Sequence, residues 1–209
     1  MTDSPGEHPL PHPELPTQQP TIFTLHAGDV IYRHHQKIHN AVYFGKTGTN
    51  RFDDPNCDPD HGSPGCFGVL YAGQDPACCL LESCGPTTRV PSVTGAFLDA
   101  RAIARMELNE DLQFVDLVEP GGLISIGADN RLTTGSHKIS QQWSAALRSH
   151  PARPDGIRYR SRHAPELIAY AIYERSPSIF SVSSMGSFTD SANGDLFREI
   201  LKIYKIAII

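Results

Sequence analysis

The sequence predicts an α+β domain, with a mixed β-sheet core and flanking helices. Short apolar runs of strand length recur near residues 23–33, 67–72, 112–117, 157–160, 168–173 and 179–182. Helix-spaced apolar residues fall between them in only a few places, and the two kinds alternate irregularly rather than as a regular βα repeat. No internal repeat is visible. An apolar share of 39% over 209 residues supports a real core, and the length favours one domain.

Residues 1–21 are proline-rich and almost devoid of apolar side chains, so they cannot bury enough surface to offset their chain entropy. They are expected to form a disordered or extended tail, leaving residues 22–209 as the domain. Residues 23–33 read as two strands broken at Ala27-Gly28-Asp29. Residues 45–66, rich in Gly, Pro, Asp and Asn, form a long loop, and loops of that length inside a domain usually serve function. A short buried strand follows at 67–72. Asp75 then caps a helix with Pro76 at its first position, and Gly85 stops it after Cys84. Residues 112–117 read as a strand. Ser136 opens a helix whose Ile139, Trp143, Ala146 and Leu147 share one face, and Trp143 is assigned to the core. Strands are expected at 157–160, 168–173 and 179–182. An amphipathic helix over 195–204 follows, resting on Leu196, Phe197, Ile200 and Leu201, and then a last strand at 206–209.

Lys and Arg number 18 against 23 Asp and Glu, giving a formal charge of −5. A mildly acidic chain is not built as a nucleic-acid footprint, although a local basic pocket for phosphates stays open to it. The five cysteines are odd in number, and Cys78, Cys79 and Cys84 share one apolar segment. That pattern suits buried thiols in a reducing cytosol better than a disulfide framework. Cys57, His61 and Cys66 have metal-ligand chemistry, with Asp58 and Asp60 nearby, but their spacing does not match a zinc site, so no metal is expected. No run of 18 apolar residues and no secretory leader pattern is seen, so the expected location is the cytoplasm, without a membrane span.

Three polar residues stand out because each sits in an apolar or strand-like run: Arg33 after Val30-Ile31-Tyr32, Glu82 after Leu80-Leu81, and Ser161 after Tyr159-Arg160. Such groups are costly on apolar supports unless paired or used. Arg33 can grip a diphosphate or carboxylate through two N–H groups. Arg51 lies in a loop with Gly45, Lys46, Gly48 and Asn50 that can bring N–H groups and charge to an anion, though the pattern is not a P-loop. Glu82, near the apolar side of its helix, can pair with Arg33 or Arg162, or act beside a glycosidic bond to a cationic leaving group. Tyr71 and Tyr43 offer rings that could stack on a flat heteroaromatic group. Ser161 has no GxSxG setting. His163, two residues on, shares its strand face, and the expected role for Ser161 is a hydrogen bond to a ligand or to Glu82.

In order and type, Val30-Ile31-Tyr32-Arg33, Asn50-Arg51-Phe52, Gly68-Val69-Leu70-Tyr71-Ala72 with the helix ending in Leu81-Glu82, and the run from Asp155 through Ser161 to Arg162 together resemble the RES domain. The likeness covers roughly residues 23–209. The family comprises bacterial toxins commonly encoded beside an antitoxin with an Xre-type helix-turn-helix domain. It has an ADP-ribosyltransferase-like fold, and members destroy NAD+ by hydrolysis or phosphorolysis. The resemblance implies Arg33, Tyr71 and Glu82 as the catalytic constellation. It implies Arg51 and Ser161, and more loosely Tyr43, as NAD-binding positions. NAD+ would be a substrate rather than a cofactor, cleaved at the nicotinamide–ribose bond with water or phosphate as acceptor. An Xre-type antitoxin would be the partner, and a homodimer is compatible. The rival readings are an ADP-ribosyltransferase acting on a macromolecule and a catalytically inactive binding module. The proline-rich tail and a longer segment at 53–66 depart from the short toxins.

Overall fold

The computed structural model describes residues 10–58, 64–84, 92–175 and 177–209. In chain order its strands and α-helices are β1 (Ile22–Leu25), β2 (Val30–Gln36), β3 (Val69–Gly73), α1 (Pro76–Cys84), β4 (Ser92–Val93), α2 (Gly95–Asp99), β5 (Arg101–Leu108), β6 (Leu112–Asp116), α3 (Gly122–Ser125), α4 (Arg131–Thr134), α5 (His137–Arg148), β7 (Gly156–Arg160), β8 (Ile168–Tyr173), β9 (Phe180–Gly186), α6 (Gly194–Tyr204) and β10 (Ala207–Ile208). Eight strands form one sheet in the order β1-β6-β7-β8-β3-β2-β5-β9, and β10 and β4 form a small second one. Within the large sheet only β6 and β7 run parallel, so the sheet is mixed and the domain α+β.

Two cores flank the sheet because successive side chains alternate across it. Along β3, Val69 and Tyr71 face the first core with Leu80, Trp143 and Ile157, while Leu70 and Ala72 face the second with Ile31, Met106 and Phe114. β8, central and covered on both sides, is buried at every position, which is why its sequence reads as an unbroken apolar run. Asp75 caps α1 as expected: its Oδ1 accepts the Cys78 N–H at 2.8 Å. Gly85, its expected stop, lies outside the described residues. Trp143 is 1% exposed, in the core.

Four features differ from the sequence reading. Of the tail expected over residues 1–21, residues 1–9 lie outside the described residues, and residues 10–21 are not a loose segment. Leu15 is 2% exposed in the first core, and its carbonyl sits 3.1 Å from His150 Nε2. Thr21 adds a main-chain bond to Asp116 and another to Ser125 Oγ, and the prolines already restrict the unfolded chain, so little entropy opposes docking. The broken strand pair at the start is two separate strands: β1 pairs with β6, and β2 pairs with β3 and β5. β5 has no counterpart in the sequence reading, because Arg101, Arg105 and Glu107 interrupt its apolar run. Those residues alternate with the buried Ala102, Ala104, Met106 and Leu108. Finally, Cys57 and Cys66 are disulfide-bonded, with Cα atoms 5.4 Å apart, so the expectation of thiols holds for Cys78, Cys79 and Cys84 alone. That Cα separation is within the range a disulfide spans, which nine residues of sequence distance do not reveal. The bonded sulfurs are also unavailable as thiolate ligands. His61 and Asp60 lie outside the described residues. Among those residues no helix is long and apolar enough to cross a membrane.

Candidate active site

A cavity of about 300 Å³ opens on the first-core side of the sheet, where β2, β3, α1 and β7 converge. Glu82, Tyr71, Arg51, Tyr159, Arg162 and His163 are among its walls. α1 buries Leu80 and Leu81 and thereby turns Glu82, the next residue, toward this space.

Both oxygens of Glu82 are held by hydroxyls from β7 and the residue that follows it. Ser161 Oγ donates to Oε1 at 2.6 Å, and the Tyr159 hydroxyl donates to Oε2 at 3.3 Å. Residues 159 and 161 are two apart and so share a face. Ser161 Oγ in turn accepts the His163 backbone N–H at 3.2 Å. The contact between these two residues therefore runs through the main chain, and the hydroxyl proton is directed at Glu82. The Tyr159 ring is fixed edge-on against Phe52 at 5.0 Å between centroids. Burial pushes the Tyr159 phenol well above its usual range, so it stays a donor.

Tyr71 contributes its ring to the wall, while its hydroxyl holds the neighbouring loop. It donates to Asp53 Oδ1 at 3.0 Å and accepts the Phe52 N–H at 2.9 Å. Asp53 Oδ2 then gathers Thr47 Oγ1, the Thr49 and Asn50 backbone N–H groups and Asn50 Nδ2, all within 3.1 Å. Gly48 takes φ +64°, and a Cβ there would meet the Cys57 carbonyl oxygen at 2.3 Å, so only glycine fits this turn.

Helix α5 grips the same loop from outside with His137, Ser140, Gln141 and Ser144. Gln141 Nε2 donates to the Gly48 and Asn50 carbonyls at 2.8 and 2.9 Å, Ser144 Oγ to the Phe52 carbonyl at 2.6 Å, and His137 Nδ1 lies 3.1 Å from the Thr49 carbonyl. Sequence reasoning missed these residues. Their signal is a polar stripe at i, i+3, i+4 and i+7 on a helix noticed only for its apolar face.

Arg51 is 6% exposed. Its Nη1 donates to the Gly135 carbonyl at 2.9 Å and Ser140 Oγ at 3.1 Å, and its Nη2 has no partner among the described residues. Burial, and next the charge of Arg162, lower its pKa, while Tyr159, Glu82 and Tyr71 oppose that shift. Burial likewise lowers the pKa of His163. Among the described residues the cavity wall thus carries one carboxylate, Glu82, and two arginines, Arg51 and Arg162.

Arg33 and Tyr43 are not brought to this cavity. Arg33 follows Ile31 in the alternation of β2 and so points to the opposite side of the sheet from His34, which lines the cavity. Its Nη1 donates to the Ala41 and Tyr43 carbonyls at 2.6 and 2.8 Å. Burial lowers its pKa to about 10, which leaves it charged at neutral pH. Tyr43 is 39% exposed and stacks on His39 at 4.2 Å. Arg33 therefore latches the chain just upstream of the loop that carries Arg51. One nitrogen serves both carbonyls, so Arg33→Lys is expected to keep most of the stability. Arg33→Ala should melt roughly 3–10 °C lower by losing about 1–3 kcal/mol. Paired thermal melts check this: equal losses in both variants would overturn the latch.

The match to known proteins follows this geometry. The family model described as RES domain matches residues 30–191, and the chain belongs to the RES domain family. It is 32% identical over 114 residues to the probable toxin y4kH of Sinorhizobium fredii (strain NBRC 101917 / NGR234), a stretch spanning 54% of this chain and 87% of that protein. The fold is similar to a chain in the crystal structure of the M. tuberculosis MbcT–MbcA toxin–antitoxin complex. The TM-score is 0.56 at 14% identity, covering 85% of this chain and 91% of that one.

Proposed function

We propose that this protein is a toxin that consumes NAD+ by cleaving its nicotinamide–ribose bond. The observation that carries the reading is Glu82, a carboxylate held by two hydroxyls on the wall of a cavity lined with arginines. RES membership and the likeness to a probable toxin support it.

The chemistry asks little of the protein. As the C–N bond breaks, its electron pair moves to the pyridinium nitrogen and neutralises the ring, so nicotinamide leaves without a general acid. Positive charge then grows at the ribose carbon, and Glu82 stabilises it there; one carboxylate suffices where most glycosidases need two. Water or phosphate completes the displacement from the opened face. Ser161 and Tyr159 fix the Glu82 oxygens, so no reorganisation is needed at the moment of reaction. Arg51 and Arg162 suit a diphosphate, and the Tyr71 ring suits a flat pyridine. In this reading NAD+ is a substrate, the protein acts in the cytoplasm, and an antitoxin, of Xre type in the RES systems it resembles, restrains it.

The test is to incubate pure protein with NAD+, with and without phosphate, and identify the products. ADP-ribose or its 1-phosphate alongside nicotinamide is expected. Nicotinamide formed only when a macromolecular acceptor is present would mark an ADP-ribosyltransferase, and intact NAD+ would mark a binding module. Ser161→Ala is expected to lower kcat by about ten- to a hundredfold, the worth of a charged hydrogen bond, with KM little changed. A folded Ser161→Ala protein with wild-type kcat would show that Glu82 needs no such support.

A further inference from the structure

One wall residue of the cavity is left unexplained by this chemistry. His34 sits on β2, 8% exposed, and lines the cavity beside Cys79, Glu82 and Ser83. Its Nδ1 lies 2.7 Å from Ser83 Oγ, and that hydroxyl donates its proton to the Leu80 carbonyl at 3.0 Å. With that proton on the Leu80 carbonyl, Ser83 offers Nδ1 a lone pair, and the contact is satisfied when Nδ1 carries the imidazole hydrogen. The other nitrogen, Nε2, is then a bare acceptor, and it is buried without a partner among the described residues. The rings of Phe97 and Phe188 meet the imidazole edge-on at 6.0 and 5.1 Å and offer it no hydrogen-bond donor. The imidazole forms part of the cavity wall, so a ligand held there is the source of a donor that the structure leaves open to it. Protonation does not solve the problem: burial, with Arg101 adding to it, lowers the His34 pKa to about 3.

We propose that His34 is the specificity residue of this site, its Nε2 accepting an N–H from the carboxamide of the substrate's pyridine ring. The inference rests on the NAD+ reading above and adds to it which pyridine is accepted. A carboxamide can turn its NH2 toward Nε2 and its oxygen toward a cation. A carboxylate has no hydrogen to give, so it would set a lone pair and a negative charge against the Nε2 lone pair. The point is sharp because Arg51 and Arg162 would by themselves favour the anion. Preference for the amide in a cavity so lined needs a local acceptor, and His34 is one that no other described residue uses. Leaving a buried acceptor unpaired is costly, so a site built to hold an N–H rejects the analogue without it.

The experiment compares NAD+ with its nicotinic acid analogue, nicotinic acid adenine dinucleotide, on the wild type and on His34→Phe, which keeps the ring and removes the acceptor. The wild type is expected to prefer NAD+ by at least about tenfold in kcat/KM. His34→Phe should bring the ratio to one or reverse it, chiefly by cutting the NAD+ value. A wild type that cleaves both equally, or a folded His34→Phe that keeps the wild-type ratio, overturns the proposal. Binding of free nicotinamide and free nicotinate to the wild type, measured by ligand-observed NMR, decides the matter independently of turnover. Preference for nicotinamide supports the role of His34 even if no NAD+ is cleaved, in which case only the catalytic reading falls. Equal binding, or preference for nicotinate, removes the role of His34 even if NAD+ is consumed.

Discussion

Glu82→Gln is expected to abolish measurable NAD+ cleavage while the protein stays folded. The amide keeps the size of the carboxylate and can still accept from Ser161 through its oxygen. Its NH2 group, however, would face the Tyr159 hydroxyl, and it carries no charge to set against the ribose carbon. Removing a preorganised charge partner of this kind costs on the order of 10²–10³-fold in kcat. Expression gives a second readout. The wild type is expected to lower cellular NAD+ and stop bacterial growth, and Glu82→Gln to do neither. Near-wild-type turnover by a folded Glu82→Gln protein would remove Glu82 from the chemistry. Growth arrest by that variant with NAD+ undiminished would point to a different toxic activity.

How much of this site the sequence displays depends on the kind of residue. Glu82 is legible because helix punctuation places it: Asp75 and Pro76 fix where α1 begins, and the apolar residues before it fix which way it faces. Ser161 is legible through period-two alternation, which also makes Tyr159 its companion. The same alternation, applied to β2, separates Arg33 from the cavity and puts His34 there instead. Motif order names Arg33, but only the pairing of β2 with β3 and β5 tells which side of the sheet it faces. The α5 stripe is visible as a polar pattern but not as a grip on another segment, and the Asp53 hub leaves no pattern at all. They act on a loop more than eighty residues away in sequence or on its own main chain, and no local pattern announces a partner of that kind. The fold shows the same division. β8 declares itself by continuous apolarity, whereas β5, one strand from the sheet edge, carries charges that break the pattern.

Arg51→Ala is expected to lower kcat/KM for NAD+ by about a hundredfold, the upper end for a charged hydrogen bond. The guanidinium does two things at once. Nη1 ties the loop to the Gly135 carbonyl and to Ser140 of α5, and Nη2, without a partner among the described residues, is the group that the proposed function gives to a substrate oxygen. Losing the first function should lower the melting temperature, and losing the second should raise KM. Arg51→Lys separates them. A single ammonium can reach the Gly135 carbonyl and restore part of the stability, but it cannot span from that wall to a substrate phosphate as the planar fork does. The expected pattern is therefore a melting temperature that recovers in Arg51→Lys while KM stays high. Steady-state kinetics beside thermal melts on both variants measure it. Recovery of both quantities together would mean that Arg51 serves only to hold the loop. The anion would then fall to Arg162, the other arginine that the described residues place on the cavity wall.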